Sequence, residues 1–143
     1  MGEVNVEITL KNGADLIRLS DGQITEQNVR SMTVTAVVYT GAMTLVIGEK
    51  LRKDLGLKIV GSRTIALAGG SAAYCKIAEP VQICWKNRIS LIRPWVLPNE
   101  EEILLGVIPI EEMDLMVDPV NNTLVGVHGD EIIGRLKKAV KVA

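Results

Sequence analysis

The chain has 143 residues, 48% of them hydrophobic and 23% charged, which suits one folded domain with a real core and excludes a wholly disordered protein. Its net charge of −1, from 16 basic and 17 acidic residues, supplies no field to hold a polyanion, so nucleic acid is not an expected partner. Two cysteines without CxxC spacing and a single histidine, His128, leave little material for a metal site. No metal or cofactor is expected, and Cys75 and Cys84 are read as reduced, buried thiols.

The first residues, Met-Gly-Glu-Val-Asn-Val, lack the basic and apolar segments of a signal peptide, and Val6 stands where a myristoylation motif has Ser or Thr. The apolar stretch 103–110 is too short for a bilayer and contains Pro109. A cytoplasmic protein with no membrane partner is the expectation, and the sequon Asn121-Asn122-Thr123 is then a chance match.

Val4, Val6, Ile8 and Leu10 alternate with polar residues, which predicts a strand, and Lys11-Asn12-Gly13 supplies a turn leading into a partner strand over 16–20. Asp21-Gly22 marks another turn. Met32, Val34, Ala36 and Val38 repeat with period two and predict a strand that delivers Tyr39 at its end. A short strand over 43–47 and a helix over 48–55, with Leu51 and Leu55 on one face and Gly56 as its stop, follow. Residues 63–67 and 71–77 read as hairpin arms around Gly69-Gly70.

Residues 81–85 and 89–95 read as a second hairpin around Lys86-Asn87-Arg88, with Pro94 and Pro98 marking its exit. Trp85 and Trp95 are taken as strand packing. A short apolar run over 103–106 precedes a helical turn over 107–114, and a last hairpin surrounds Asp118-Pro119-Val120-Asn121-Asn122. The tail from Asp130 has Ile132, Ile133, Leu136 and Val140 at helical spacing, with Arg135, Lys137, Lys138 and Lys141 towards its end. Neither a linker nor a repeat interrupts the chain, so a single mainly β domain spanning 1–143 is expected.

Three landmarks in order give the sequence a resemblance to the retropepsin-like, clan AA aspartic peptidases, in particular the small bacterial members. Val37-Val38-Tyr39-Thr40-Gly41-Ala42, followed by Leu45-Val46-Ile47, resembles the family's Asp-Thr-Gly-Ala segment. Leu67-Ala68-Gly69-Gly70-Ser71 is placed like the glycine-rich flap tip, and Leu104-Leu105-Gly106 like the element that passes behind the active-site loop. The resemblance covers about residues 30 to 128. It implies a closed β-barrel of the acid protease type with one or two short helices, acting on extended peptides as a homodimer with the site on its two-fold axis. It further implies catalytic positions Tyr39, Thr40 and Gly41 and substrate contacts from Ala42, Ala68, Gly69 and Gly70. Thr40 would interlock the two loops, and Gly41 would offer its N–H to the reacting group. Apolar side chains such as Ile47, Ile65 and Ile108 would suit hydrophobic substrate residues.

Tyr39 departs from the family's pattern at the catalytic position. An aspartic peptidase needs two carboxylates sharing a proton around one water, whereas a phenol ionises near pH ~10 and is a poor base at neutral pH. Loss or strong impairment of peptidase activity is therefore expected. Two tyrosine rings at one axis either stack or push the subunits apart, while removal of two repelling acids relieves electrostatic strain. The alternative is a non-catalytic interaction or structural module that uses Tyr39 in an interface. Among other acids, Asp114 reads as a helix end, Asp118 and Asp21 as turn residues, Asp54 as a helix residue, and Glu100-Glu101-Glu102 as a solvated loop. His128 reads as a loop residue rather than a base.

Overall fold

A computed structural model describes residues 3–140 and 142. The first strand, β1 (Asn5–Asn12), buries Val6, Ile8 and Leu10 and turns Asn5 and Glu7 outward, as period-two alternation dictates. It lies between β2 (Ser31–Val38) and β6 (Val81–Trp85), antiparallel to both, with Leu10 opposite Met32 on one side and Ile83 on the other. The alternating Val81, Ile83 and Trp85 meet the same core. Each fully buried aliphatic side chain there contributes about 1.5–3 kcal/mol by leaving water.

Between β1 and β2 the chain forms helix α1 (Gly13–Ser20), where the sequence predicts a strand over 16–20. The Asn12 side chain decides the matter: its Oδ1 accepts from the Asp15 N–H at 3.0 Å, capping the helix, and its Nδ2 donates to the Leu55 carbonyl at 2.8 Å. Asp15 is itself buried, and its carboxylate accepts from Arg18 Nη1 at 2.8 Å and from the backbone N–H, Nε and Nη2 of Arg30 at 2.9–3.0 Å. These bonds, those from the Arg30 side chain above all, hold the Asp15 carboxyl far below the usual carboxylate range against the opposing effect of burial.

After β2 come β3 (Leu45–Gly48) and helix α2 (Glu49–Asp54), which ends on Gly56 at φ +67° as expected. Strands β4 (Ile59–Ala66) and β5 (Ala72–Ala78) form the hairpin around Gly69-Gly70, whose φ values of +87° and +89° call for glycine. Strand β6 turns through Lys86-Asn87 into β7 (Arg88–Ile92). The expected strand over 89–95 is thus divided: Pro94 breaks the ladder, and Trp95 opens a separate strand, β8 (Trp95–Leu97), which pairs with β3 and β5. Next are β9 (Leu104–Leu105), helix α3 (Val107–Glu112) and the small hairpin of β10 (Leu115–Asp118) with β11 (Thr123–Gly126).

Among the described residues nine strands make one sheet, ordered β4-β5-β8-β3-β9-β2-β1-β6-β7, which curls into a half-barrel over the core. Its end strands are β4 and β7. The mainly β expectation is met, but the described residues hold three short α-helices where one or two were expected, α1 being the addition. The tail is corrected in the other direction. Residues 130–140 form no helix; Gly134 sits at φ +106°, and Ile132, Ile133 and Leu136 stay exposed. An apolar stripe with no surface to cover does not stabilise so short a helix. The expectations for Met1, Gly2 and Lys141 fall outside the described residues, and among those described no helix is long and apolar enough to cross a membrane.

Candidate active site

Tyr39 leaves the end of β2 and enters a tight turn in which the Ala42 N–H donates to the Tyr39 carbonyl at 3.1 Å. The two-residue strand β9 holds this turn from behind. It pairs parallel with β2, Val38 beside Leu105, and antiparallel with β3, Leu45 beside Leu105. The Tyr39 N–H donates to the Leu105 carbonyl at 3.0 Å, and the N–H groups of Val107 and Ile108 donate to the carbonyls of Ala42 and Met43 at 2.9 and 2.8 Å. Gly106 sits at the closest approach: a β-carbon there would stand 2.4 Å from the Thr44 carbonyl oxygen and 2.5 Å from that of Ala42. Leu104-Leu105-Gly106 thus forms the back wall of the Tyr39 loop, as the resemblance implies.

The Tyr39 side chain is half exposed, and its ring folds back against Gly41, where a β-carbon would lie 2.8 Å from Cζ and 2.9 Å from Oη. The ring and the β4–β5 hairpin bound a groove of about 480 Å³. Tyr39, Gly41, Ala42 and Ala68 all line it, so four of the seven sequence-predicted site residues come together. Thr40 is exposed on the turn outside the groove lining, and Gly69 and Gly70 form the hairpin tip beyond it. Ile65 lines the groove as expected, whereas Ile47 is completely buried in the core and Ile108 belongs to an adjoining cavity.

Trp95, expected as strand packing, lines both the groove and that adjoining cavity. The break at Pro94 is the sequence signal that frees it from the β7 ladder. Trp85, by contrast, is buried, with Lys86 Nζ 4.6 Å from its ring centre.

Among the described residues no carboxylate lines the groove. The Asp114 carboxylate accepts from His128 Nδ1 at 2.8 Å, a contact that lowers its pKa, and the pair ties the chain after β11 to the end of α3. Asp118 accepts from the N–H groups of Val120 and Asn121 and from Asn121 Nδ2, the turn role its sequence context predicts. Asp54 pairs with Lys50 on α2. Cys75 is buried and Cys84 half-buried, both as free thiols pushed up in pKa by burial. Among the described residues, His, Cys, Asp and Glu form no group that could hold a metal ion.

The fold is that of a retroviral protease-like domain. The chain is similar to the crystal structure of the retroviral protease-like domain of Ddi1 from Leishmania major, with a TM-score of 0.55 and 16% sequence identity over 93% of this chain and 92% of that one. No protein-family model matches the sequence. No curated protein matches it either.

Proposed function

We propose that the protein, a single retropepsin-like domain, binds extended peptides in the groove under the β4–β5 hairpin, with Tyr39 at the catalytic aspartate position and peptide hydrolysis lost or strongly impaired. The observation that carries this proposal is a groove lined by the Tyr39 loop and the hairpin that contains no carboxylate. General acid–base attack of water on an amide needs at least one group that ionises in the working pH range. The groove instead offers apolar walls and β4, a strand at the end of the sheet whose outer backbone groups have no strand partner. An extended peptide can add to such an edge. A homodimer would bring two Tyr39 loops to a common axis, with Thr40 exposed on each.

The half exposure of Tyr39 and its neighbour Met43 favours the second proposal, a non-catalytic interaction module that buries this ring in an interface. The two separate in one experiment. Cleavage of a denatured protein is followed from pH 4 to 7 for the wild type and for Tyr39→Asp, with the mass of each determined by light scattering. We expect Tyr39→Asp to cut at least ~100-fold faster than wild type and to do so as a dimer, since a positioned acid–base group contributes a factor of that order. Two inactive proteins would favour the interaction module. Cleavage by the wild type that survives Thr40→Ala would place the chemistry elsewhere.

A further inference from the structure

We propose that the cavity flanked by Arg63 and Arg93 receives an acidic side chain, glutamate or aspartate, of a peptide lying in the Tyr39 groove. The inference rests on the peptide-groove proposal above and names the ligand class. This cavity, about 240 Å³, adjoins the groove and shares Met43, Arg63 and Trp95 with it. It is too small for a folded partner and large enough for one side chain.

Its charge is unmatched among the described residues. Arg18 and Arg30 are committed to Asp15, Arg52 to Glu49, and the buried Arg88 donates to the Gly129 carbonyl at 2.6 Å. Arg63 and Arg93 have no carboxylate partner among the described residues. Both arginines line the same pocket and are exposed to solvent, so a carboxylate entering it meets net positive charge. Arg63 is also partly pre-positioned, with its Cζ 5.5 Å from the Trp95 ring centre, and a guanidinium held on an aromatic face keeps its fork of donors free for a carboxylate.

The remaining walls suit the rest of such a residue. Ile77, Ile92 and Ile108 offer apolar surface to its methylene groups, while the two exposed guanidinium groups stay open to solvent. Thr44, almost fully buried in the same wall, has a hydroxyl without a hydrogen-bond partner. Arg63 lies in β4 and Arg93 in the link between β7 and β8, so the pocket exists only in the folded protein.

Two pools of fluorescein-labelled octapeptides, apolar at every position but one, carry Glu at that position in one pool and Gln in the other. Anisotropy titration at 50 mM salt should show the wild type binding the Glu pool on the order of tenfold more tightly, as a charge-assisted fork contact allows. The ratio should fall towards unity in the double variant Arg63→Gln/Arg93→Gln, stay partly above it in Arg93→Lys, and shrink for the wild type at 500 mM salt. Equal binding of both pools by the wild type overturns the acidic pocket and leaves the peptide groove standing. A preference that survives in the double variant also overturns the pocket. If neither pool binds, the groove proposal and the pocket fall together.

Discussion

Gly106→Ala should lower the stability of the protein by about 3 kcal/mol, seen as a fall of about 10 °C in the thermal midpoint. The added methyl has nowhere to go, because both atoms it meets first are backbone carbonyl oxygens, at 2.4 and 2.5 Å. Relief requires β9 to withdraw from the Tyr39 loop, which breaks the bonds from Val107 and Ile108 to Ala42 and Met43. Loss of the groove should accompany the loss of stability, so binding of an apolar octapeptide should weaken as well. Gly61→Ala is the control: a β-carbon at Gly61 meets nothing within 4 Å, and a change below about 0.5 kcal/mol is expected there. Equal midpoints for the two variants would mean that β9 does not press on the loop.

The second large effect is expected from Asp15→Asn. Asp15 is buried with a carboxylate that accepts four hydrogen bonds from two arginines, and the substitution leaves those donors facing a neutral amide. Because the side chains of Arg18 and Arg30 are 39% and 48% exposed, water recovers part of the loss, and about 2 kcal/mol at pH 7 is expected rather than the larger cost of a fully buried pair. The pH dependence has a definite sign. The folded Asp15 carboxyl is depressed below its unfolded value near ~3.9, so its contribution is complete above that pH and drains away as the pH falls through and below it. Urea unfolding at pH 7, 4 and 2.5 should therefore show the gap between wild type and Asp15→Asn narrowing with acid. A gap that stays constant would remove Asp15 from the account of acid stability.

The strands around the site are legible in the sequence because alternation is unambiguous from Val4 to Leu10 and from Met32 to Val38. The pairing of the Tyr39 loop with Leu104-Leu105-Gly106 is legible only through the family resemblance, because two apolar residues before a glycine do not by themselves announce a backbone crossing. Helix α1 is hidden by a genuine ambiguity. Lys11-Asn12-Gly13 carries turn chemistry, yet Asn is equally a helix cap, and Asp15 three positions later is the clue that resolves it. The tail shows the converse error. Its helical spacing is real, but spacing forms a helix only when a complementary surface covers the stripe. Pro94 is a local signal for Trp95, but nothing local marks Arg63 as a neighbour of Arg93 and Trp95, because it lies about thirty residues earlier and only the sheet order brings the three to one cavity.

Strand β9 also has a consequence for the order in which the protein assembles. Among the described residues its two residues alone link β2 to β3 in the sheet, and they come late in the chain, with Val38 waiting for Leu105. During synthesis β1 and β2 can pair as soon as Val38 has emerged, while the far edge of β2 stays open. The Tyr39 loop acquires its backbone partners only when that edge is filled, so the groove depends on a long-range closure, and a chain released before Gly106 presents an unpaired β2 edge to any other strand.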